Sequence, residues 1–232
     1  MALNEDLKRE VASIFSDRWG FRDGRIVPET KNVGEGNEGV RIEATILYAD
    51  LSDSTALVDT YEDWRAAEIY KAFLRCCAKV IRSEGGEIRS YDGDRVMGLF
   101  LGDSKNTSAV RTALKINYAV KKIIQPAYDA QYPSKPISIR HCVGVDTSSI
   151  MAIRAGIRGS NDIAWIGRAA NHAAKLTALP HTYASRITAA VYARLNDNEK
   201  LGGPQRKPMW EKVNWTPMDN AEIYRSSWTW TV

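Results

Sequence analysis

Cysteine is scarce in this 232-residue chain, with only Cys76, Cys77 and Cys142 present. Their number is odd, two are adjacent, and no CxxC spacing occurs. That pattern excludes a disulfide framework and a thiolate metal site, and the three read as reduced cysteines of a cytoplasmic protein. Also missing is any run of about 18 apolar residues, so no membrane span is expected. The N-terminus, Met1-Ala-Leu-Asn-Glu-Asp-Leu-Lys8, is polar and has no signal-peptide core, which again points to the cytoplasm. No long Lys/Arg run exists and the net charge is only +4, so nucleic acid is not an expected partner. Internal repeats and low-complexity tracts are absent too. What remains is ordinary for a globular chain: 44% hydrophobic and 26% charged residues, enough to bury a sizeable core.

Leu7, Val11, Ile14 and Phe15 recur at helical spacing and predict an N-terminal amphipathic helix over 4–18. Residues 19–40 are polar and glycine-containing, and read as a loop or linker. Residues 1–39 are therefore an appendage to a single catalytic-size domain over 40–232. In that domain Glu43–Ala49 reads as a strand. A long helix capped by Ser52 or Asp53 follows it and stops at Gly85-Gly86. Two short strands surround Asp92-Gly93, a hairpin signal. After a second helix, Ile137–Val145 and Ile150–Ala155 read as a strand pair turning at Asp146-Thr-Ser-Ser149. An Ala-rich helix is expected over Ala164–Leu179, then a strand at Arg186–Ala189, and one or two strands in the Trp-rich tail. The order β-α-β-β-α-β predicts an α+β, ferredoxin-like fold with a C-terminal extension. Its helices would pack on one sheet face and leave the other free.

The chemistry concentrates in two segments, Thr45-Ile-Leu-Tyr-Ala-Asp-Leu-Ser-Asp-Ser-Thr55 and Ile88-Arg-Ser-Tyr-Asp-Gly-Asp-Arg-Val-Met97. Each is an apolar strand that delivers an aspartate at a turn. Strand alternation puts Ile46, Tyr48 and Asp50 on one face. Just beyond, the amides of Asp53, Ser54 and Thr55 are unpaired donors at a helix start, suited to phosphate. Carboxylates and the Leu51 carbonyl are hard oxygen ligands for Mg²⁺ or Mn²⁺. The pattern predicts a site for two divalent metals and a nucleoside triphosphate. From the residues alone, either Asp92 or Asp94 can serve as the second carboxylate. The bland alternative is that Asp50 and Asp53 cap a helix and Asp92-Gly93-Asp94 is only a turn.

From about Val40 to Arg225 the chain resembles the catalytic domain of class III adenylate and guanylate cyclases. The resemblance rests on Leu47-Tyr-Ala-Asp-Leu-Ser-Asp-Ser-Thr55, Gly93-Asp-Arg-Val-Met97 and Asp162-Ile-Ala-Trp-Ile-Gly-Arg-Ala-Ala-Asn-His-Ala-Ala-Lys-Leu176. It implies that Asp50 and Asp94 hold both metals, and that a head-to-tail homodimer shares its sites. Asn171 would orient the ribose or α-phosphate. Lys175 stands where the family has its transition-state arginine, and a lysine keeps the charge but loses the planar fork. The base-reading positions fall at Ser90, or Arg89 with one residue of slack, and at Ala164, and neither purine pair is reproduced. Tyr48 replaces the usual phenylalanine and adds a hydroxyl and bulk. The family's phosphate-binding arginine is Ser149 here, with Arg154, Arg158 and Lys212 as replacements the sequence does not place.

A narrower resemblance, through Arg25-Ile-Val-Pro-Glu-Thr30 and Asn32-Val-Gly-Glu-Gly-Asn-Glu-Gly39, is to the bacterial pyrimidine cyclases of the Pycsar antiphage system. It implies conversion of UTP, or alternatively CTP, to a 3′,5′-cyclic monophosphate that activates a separate effector. A purine cyclase and a catalytically silent nucleotide sensor are the competing expectations.

Overall fold

The computed structural model describes residues 2–232. The chain begins with α1 (Leu3–Ser16), β1 (Gly20–Asp23), a 3-10 turn (Thr30–Asn32) and β2 (Glu38–Leu51). Next come α2 (Ser54–Thr60), α3 (Asp63–Ser83), β3 (Glu87–Asp92), β4 (Arg95–Phe100) and α4 (Lys105–Ala119). A π-helical turn (Val120–Ile124) joins α4 to α5 (Gln125–Gln131). Then follow β5 (His141–Ile157), β6 (Ser160–Ile166), α6 (Arg168–Thr177), β7 (Ser185–Thr188), α7 (Ala189–Tyr192) and α8 (Asp197–Lys200). Strands β8 (Leu201–Gly202), β9 (Lys207–Pro208), β10 (Glu211–Trp215) and β11 (Ala221–Ser226) complete it.

The chain divides into two compact units. The larger comprises Ala44–Ser148 and Arg168–Val232, the smaller Met1–Glu43 and Ser149–Gly167. In the larger unit the strands run in the order β10-β11-β7-β5-β2-β4-β3. The expected β-α-β-β-α-β order is there, as β2, α2 with α3, β3, β4, α4 and β5. Leu47, Ala49 and Leu51 of β2 and Val143 and Val145 of β5 join Phe73, Cys77 and Ile81 of α3 and Val110 and Leu114 of α4 in one core. Cys77 and Cys142 are buried and all three cysteines are free, as the reduced reading requires.

The opposite sheet face is not free. Gly144 points away from Val143 and Val145 by strand alternation. A Cβ there would strike the Ala173 carbonyl of α6, so glycine is what lets α6 lie against the strand. Leu176 of α6 closes a second small core with Trp215 and Ile223.

Several elements differ from the sequence reading. The long helix breaks at Tyr61-Glu62 into α2 and α3. There Arg65 is buried, paired with Glu62 at 2.8 Å and set near the rings of Tyr61, Trp64 and Tyr132. Apolar periodicity has no means of announcing a buried arginine. Asp146-Thr-Ser-Ser149 is not a turn but the middle of the single long strand β5. Its polar groups are paired: Thr188 Oγ1 donates to Asp146, Thr45 Oγ1 donates to Thr147 Oγ1, and Ala169 N–H donates to Ser148 Oγ. In the smaller unit β5 instead turns back at Arg158-Gly159 into β6. Ala164 therefore lies on a strand opposite Ile153, not at a helix start. Within the stretch read as linker, β1 pairs in parallel with the first residues of β2.

Candidate active site

Strand register assembles the site. β2 lies antiparallel to β4, with Asp50 opposite Arg95 and Tyr48 opposite Met97. β3 lies antiparallel to β4 on its other side, with Asp92 opposite Arg95 and Ser90 opposite Met97. Directly opposed residues share a face. Two parallel rows result, Asp50–Arg95–Asp92 and Tyr48–Met97–Ser90. The hairpin turn is Gly93-Asp94, one residue further on than the Asp92-Gly93 signal suggested. Gly93 takes φ 59°, the positive angle expected of glycine at the first turn position.

Asp92 is committed elsewhere, since Arg95 Nη2 donates to its carboxylate at 2.7 Å. Asp94, at the turn, is left beside Asp50. The Asp50 carboxyl is held above its ordinary range, first by burial and then by the Asp94 carboxylate, with Arg95 and the Thr177 hydroxyl opposing. Thr177 Oγ1 of α6 lies 3.3 Å from Asp50 Oδ2. A half-buried carboxylate repelled by a second one is relieved by a cation, and all the donors are hard oxygens. The residues therefore fit a divalent metal. Among the described residues no cluster of three or more His, Cys, Asp and Glu forms a metal cage. Two carboxylates and a carbonyl suit Mg²⁺ or Mn²⁺ that draws its other ligands from water and phosphate.

Asp53 occupies the N-cap position of α2 in a left-handed conformation, φ 61°, and neither it nor Ser52 caps the helix by side chain. Its carboxylate instead lies 3.4 Å from His181 Nδ1 and 4.0 Å from Arg140. Helix α2 has only seven residues, so its dipole is small. Any phosphate cradle there rests on the local amides of Asp53, Ser54 and Thr55.

Tyr48 is half-buried, with the Arg95 guanidinium 5.2 Å over its ring. Burial raises its phenol above the ordinary range. Its hydroxyl donates to the Met97 thioether at 3.2 Å, a weak acceptor that a ligand carbonyl readily replaces. Ser90 stands in the same row, whereas Arg89 is the bulged residue between Ile88 and Ser90. The single residue of slack in the sequence reading is this bulge. Arg89 itself faces Glu87 at 3.8 Å.

Asn171 and Lys175 are exposed on one face of α6, a turn apart, with Lys175 Nζ 3.6 Å from Met218 Sδ. Their helix is anchored by Asp146, which is 0% exposed and faces Thr188, Arg168 and His172. Ala164 belongs to the smaller unit, as do Ser149, Arg154 and Arg158. Arg154 is paired with Glu35 at 3.0 Å, and Lys212 with Glu222. The groups that sequence reasoning missed are Arg95, Thr177, Arg140 and His181. Arg95 stood inside the second motif, and pairing the two strands about the hairpin would have set it opposite Asp92. The other three carry no local signal.

No family model matches the chain. It is 48% identical over 233 residues, and over the whole of both chains, to a protein named uridylate cyclase from Xanthomonas perforans. A uridylate cyclase from Burkholderia cepacia is 47% identical over 234 residues, again end to end. Among solved structures, an adenylyl cyclase from P. aeruginosa superposes with a TM-score of 0.65 at 20% identity, covering 82% of this chain and 95% of that one. With its fold and full-length relatives in agreement, the chain belongs to the class III nucleotidyl cyclase family and is a nucleotidyl cyclase.

Proposed function

We propose that the enzyme is a uridylate cyclase that converts UTP to 3′,5′-cyclic UMP and pyrophosphate. The observation that carries the base assignment is the Tyr48–Met97–Ser90 row beside Asp50, which gives the base a bulky hydroxyl-bearing wall and no purine-reading pair. The two relatives named uridylate cyclase support it.

Asp50, Asp94 and the Leu51 carbonyl would hold two divalent ions, Mn²⁺ or Mg²⁺. When bound, these supply Lewis acidity at the ribose 3′-hydroxyl and at the β- and γ-phosphates. Amides of Asp53, Ser54 and Thr55 receive the triphosphate. Tyr48 turns its hydroxyl from the Met97 sulfur to a pyrimidine carbonyl, and Ser90 adds a second hydroxyl. Asn171 and Lys175 of a second copy complete the site, Asn171 orienting the ribose and Lys175 facing the charge that grows on the α-phosphate. Ala164, also from the second copy, flanks the base without contributing a hydrogen bond. The ribose 3′-hydroxyl gives its proton to solvent as its oxygen attacks the α-phosphorus in line, and the α–β phosphoanhydride bond breaks to release pyrophosphate. The catalytic domain is 40–232, with 1–39 appended. The cyclic product serves as a cytoplasmic signal to a separate effector in defence against phage.

The test is incubation with ATP, GTP, CTP or UTP and Mn²⁺, with products identified by mass. Cyclic UMP is expected to dominate; dominant cyclic CMP or a cyclic purine would overturn the base assignment. For the defence role, cells carrying the gene with its effector should resist phage, and Asp94→Ala should abolish that resistance.

A further inference from the structure

We propose that a cavity of about 270 Å³, set between the π-helical turn and the start of β5, binds a phosphoryl oxyanion at a site separate from the nucleotide's. Its wall carries Lys121, Arg140, His141 and His181 with the hydroxyls of Ser138 and Thr182, and no acidic residue lines it. The cavity is small for a nucleotide-sized ligand but ample for an inorganic anion.

His141 provides the second, independent observation. It is 4% exposed, and its Nε2 is buried without a hydrogen-bond partner. Burial, with the Lys121 charge nearby, lowers its pKa to about 3, so the ring is neutral at working pH, and as the Nε2–H tautomer it has one hydrogen to donate to an anion. A buried polar atom without a partner in the wall of a basic cavity is what a bound ligand satisfies. Lys121 Nζ, 3.3 Å from the Ser227 carbonyl, has further hydrogens to give, since an ammonium carries three. The π turn that presents it is a distortion frequent at functional sites.

The cavity is wired to the substrate loop. Arg140 Nη1 lies 2.7 Å from His181 Nε2. An arginine only donates, so Nε2 accepts and the imidazole proton rests on Nδ1, 3.4 Å from Asp53. An anion in the cavity competes for Arg140, loosens His181 and releases the left-handed residue that starts α2. This coupling rests on the cyclase reading above, because the reaction then releases the matching anion, pyrophosphate, which acts here as a brake.

The experiment is calorimetric titration of the metal-free protein with pyrophosphate and, separately, with inorganic phosphate. Saturable binding is expected, tighter for pyrophosphate. Lys121→Gln, at an exposed position that does not threaten folding, should weaken it about tenfold, the value of about 1.4 kcal/mol. His141→Gln is a second variant with the same expectation. In the Mn²⁺ assay pyrophosphate should inhibit noncompetitively against nucleotide, and Lys121→Gln should raise the inhibition constant while uninhibited turnover holds. Absence of binding, or binding indifferent to Lys121→Gln, overturns the site. Tighter binding of phosphate, or purely competitive inhibition, overturns the brake. Failure of the cyclase reading shows separately, as no cyclic product from any triphosphate.

Discussion

Asp50 is costly to the folded chain before any ligand arrives, because it is half-buried and faces Asp94. Asp50→Asn should therefore stabilise the metal-free protein, raising Tm by roughly 2–4 °C if about 1 kcal/mol of desolvation and repulsion is relieved. The same change should erase the Tm rise on adding Mn²⁺ and abolish turnover. A variant that still responds to Mn²⁺ would remove Asp50 from the metal site. Tyr48→Phe makes a different demand. Its hydroxyl holds only a thioether, so Tm should stay put while kcat/KM for UTP falls about tenfold, one hydrogen bond of about 1.4 kcal/mol. An unchanged kcat/KM would deny Tyr48 any part in base recognition. At this scale the sequence made placement readable where it is set by a residue's own strand: Asp50, Tyr48 and Asp94 lie in local motifs, and strand register puts them at one end of the sheet. Thr177 and His181 were not readable, because they reach Asp50 and Asp53 from distant chain positions through packing alone.

Among the elements, α6 is the one whose placement decides most, since it carries Asn171, Lys175 and Thr177. Gly144 sets its distance from the sheet. Gly144→Ala should push it outward, with overpacking of about 1–3 kcal/mol and a Tm loss of several degrees. Turnover should fall further than stability alone explains, because the helix moves relative to Asp50. Full activity at 25 °C in a well-folded variant would show that α6 tolerates displacement. The long helix and the strand pair were misread for one reason. Polar residues such as Arg65, Asp146 and Thr147 usually mark surface or turn, and here each is buried against a group from elsewhere in the chain, the Tyr132 ring, the Thr188 hydroxyl and the Ala44 carbonyl respectively. Local pattern registers polarity but not the partner.

For the whole molecule, acid should be the weak side of the stability curve. The unfolded chain protonates His141 below about pH 6.5, whereas the folded chain resists until about pH 3. The contribution is therefore complete above about 6.5 and is lost as the pH falls toward 3, at up to about 1.4 kcal/mol per pH unit. His172, lowered chiefly by burial against the pull of Asp146, acts in the same direction. Urea midpoints between pH 4.5 and 7.5 should fall less steeply for His141→Phe; parallel curves would refute this. Assembly is the second whole-molecule matter. In the smaller unit α1 has no buried residue, and Leu3, Leu7, Val11, Ile14 and Phe15 are all exposed. Such a surface is what a second copy would cover. If two copies share their sites as proposed, mixing inactive Asp50→Ala and Lys175→Ala proteins should restore part of the activity, since one of the two sites is rebuilt in the mixed dimer. No rescue would argue for self-sufficient protomers. The proposal that two copies share a site comes only from family resemblance, for nothing in a single chain's periodicity encodes a symmetry partner.

The π-helical turn at Val120–Ile124 carries a consequence for how this enzyme can change over generations. A π turn holds one residue more than the α-helix it interrupts, so a one-codon deletion there would heal the helix rather than break it. Everything after it would keep its phase, because the π turn already takes up the extra residue without turning the flanking helices out of register. Gln125, which clamps the chain ahead of β5 by donating to the Ile137 carbonyl and accepting from the Ile139 amide, would keep its place. Loss of a single codon would leave both the helix and the latch intact, so the chain can shorten here without disturbing the strand that leads into the site.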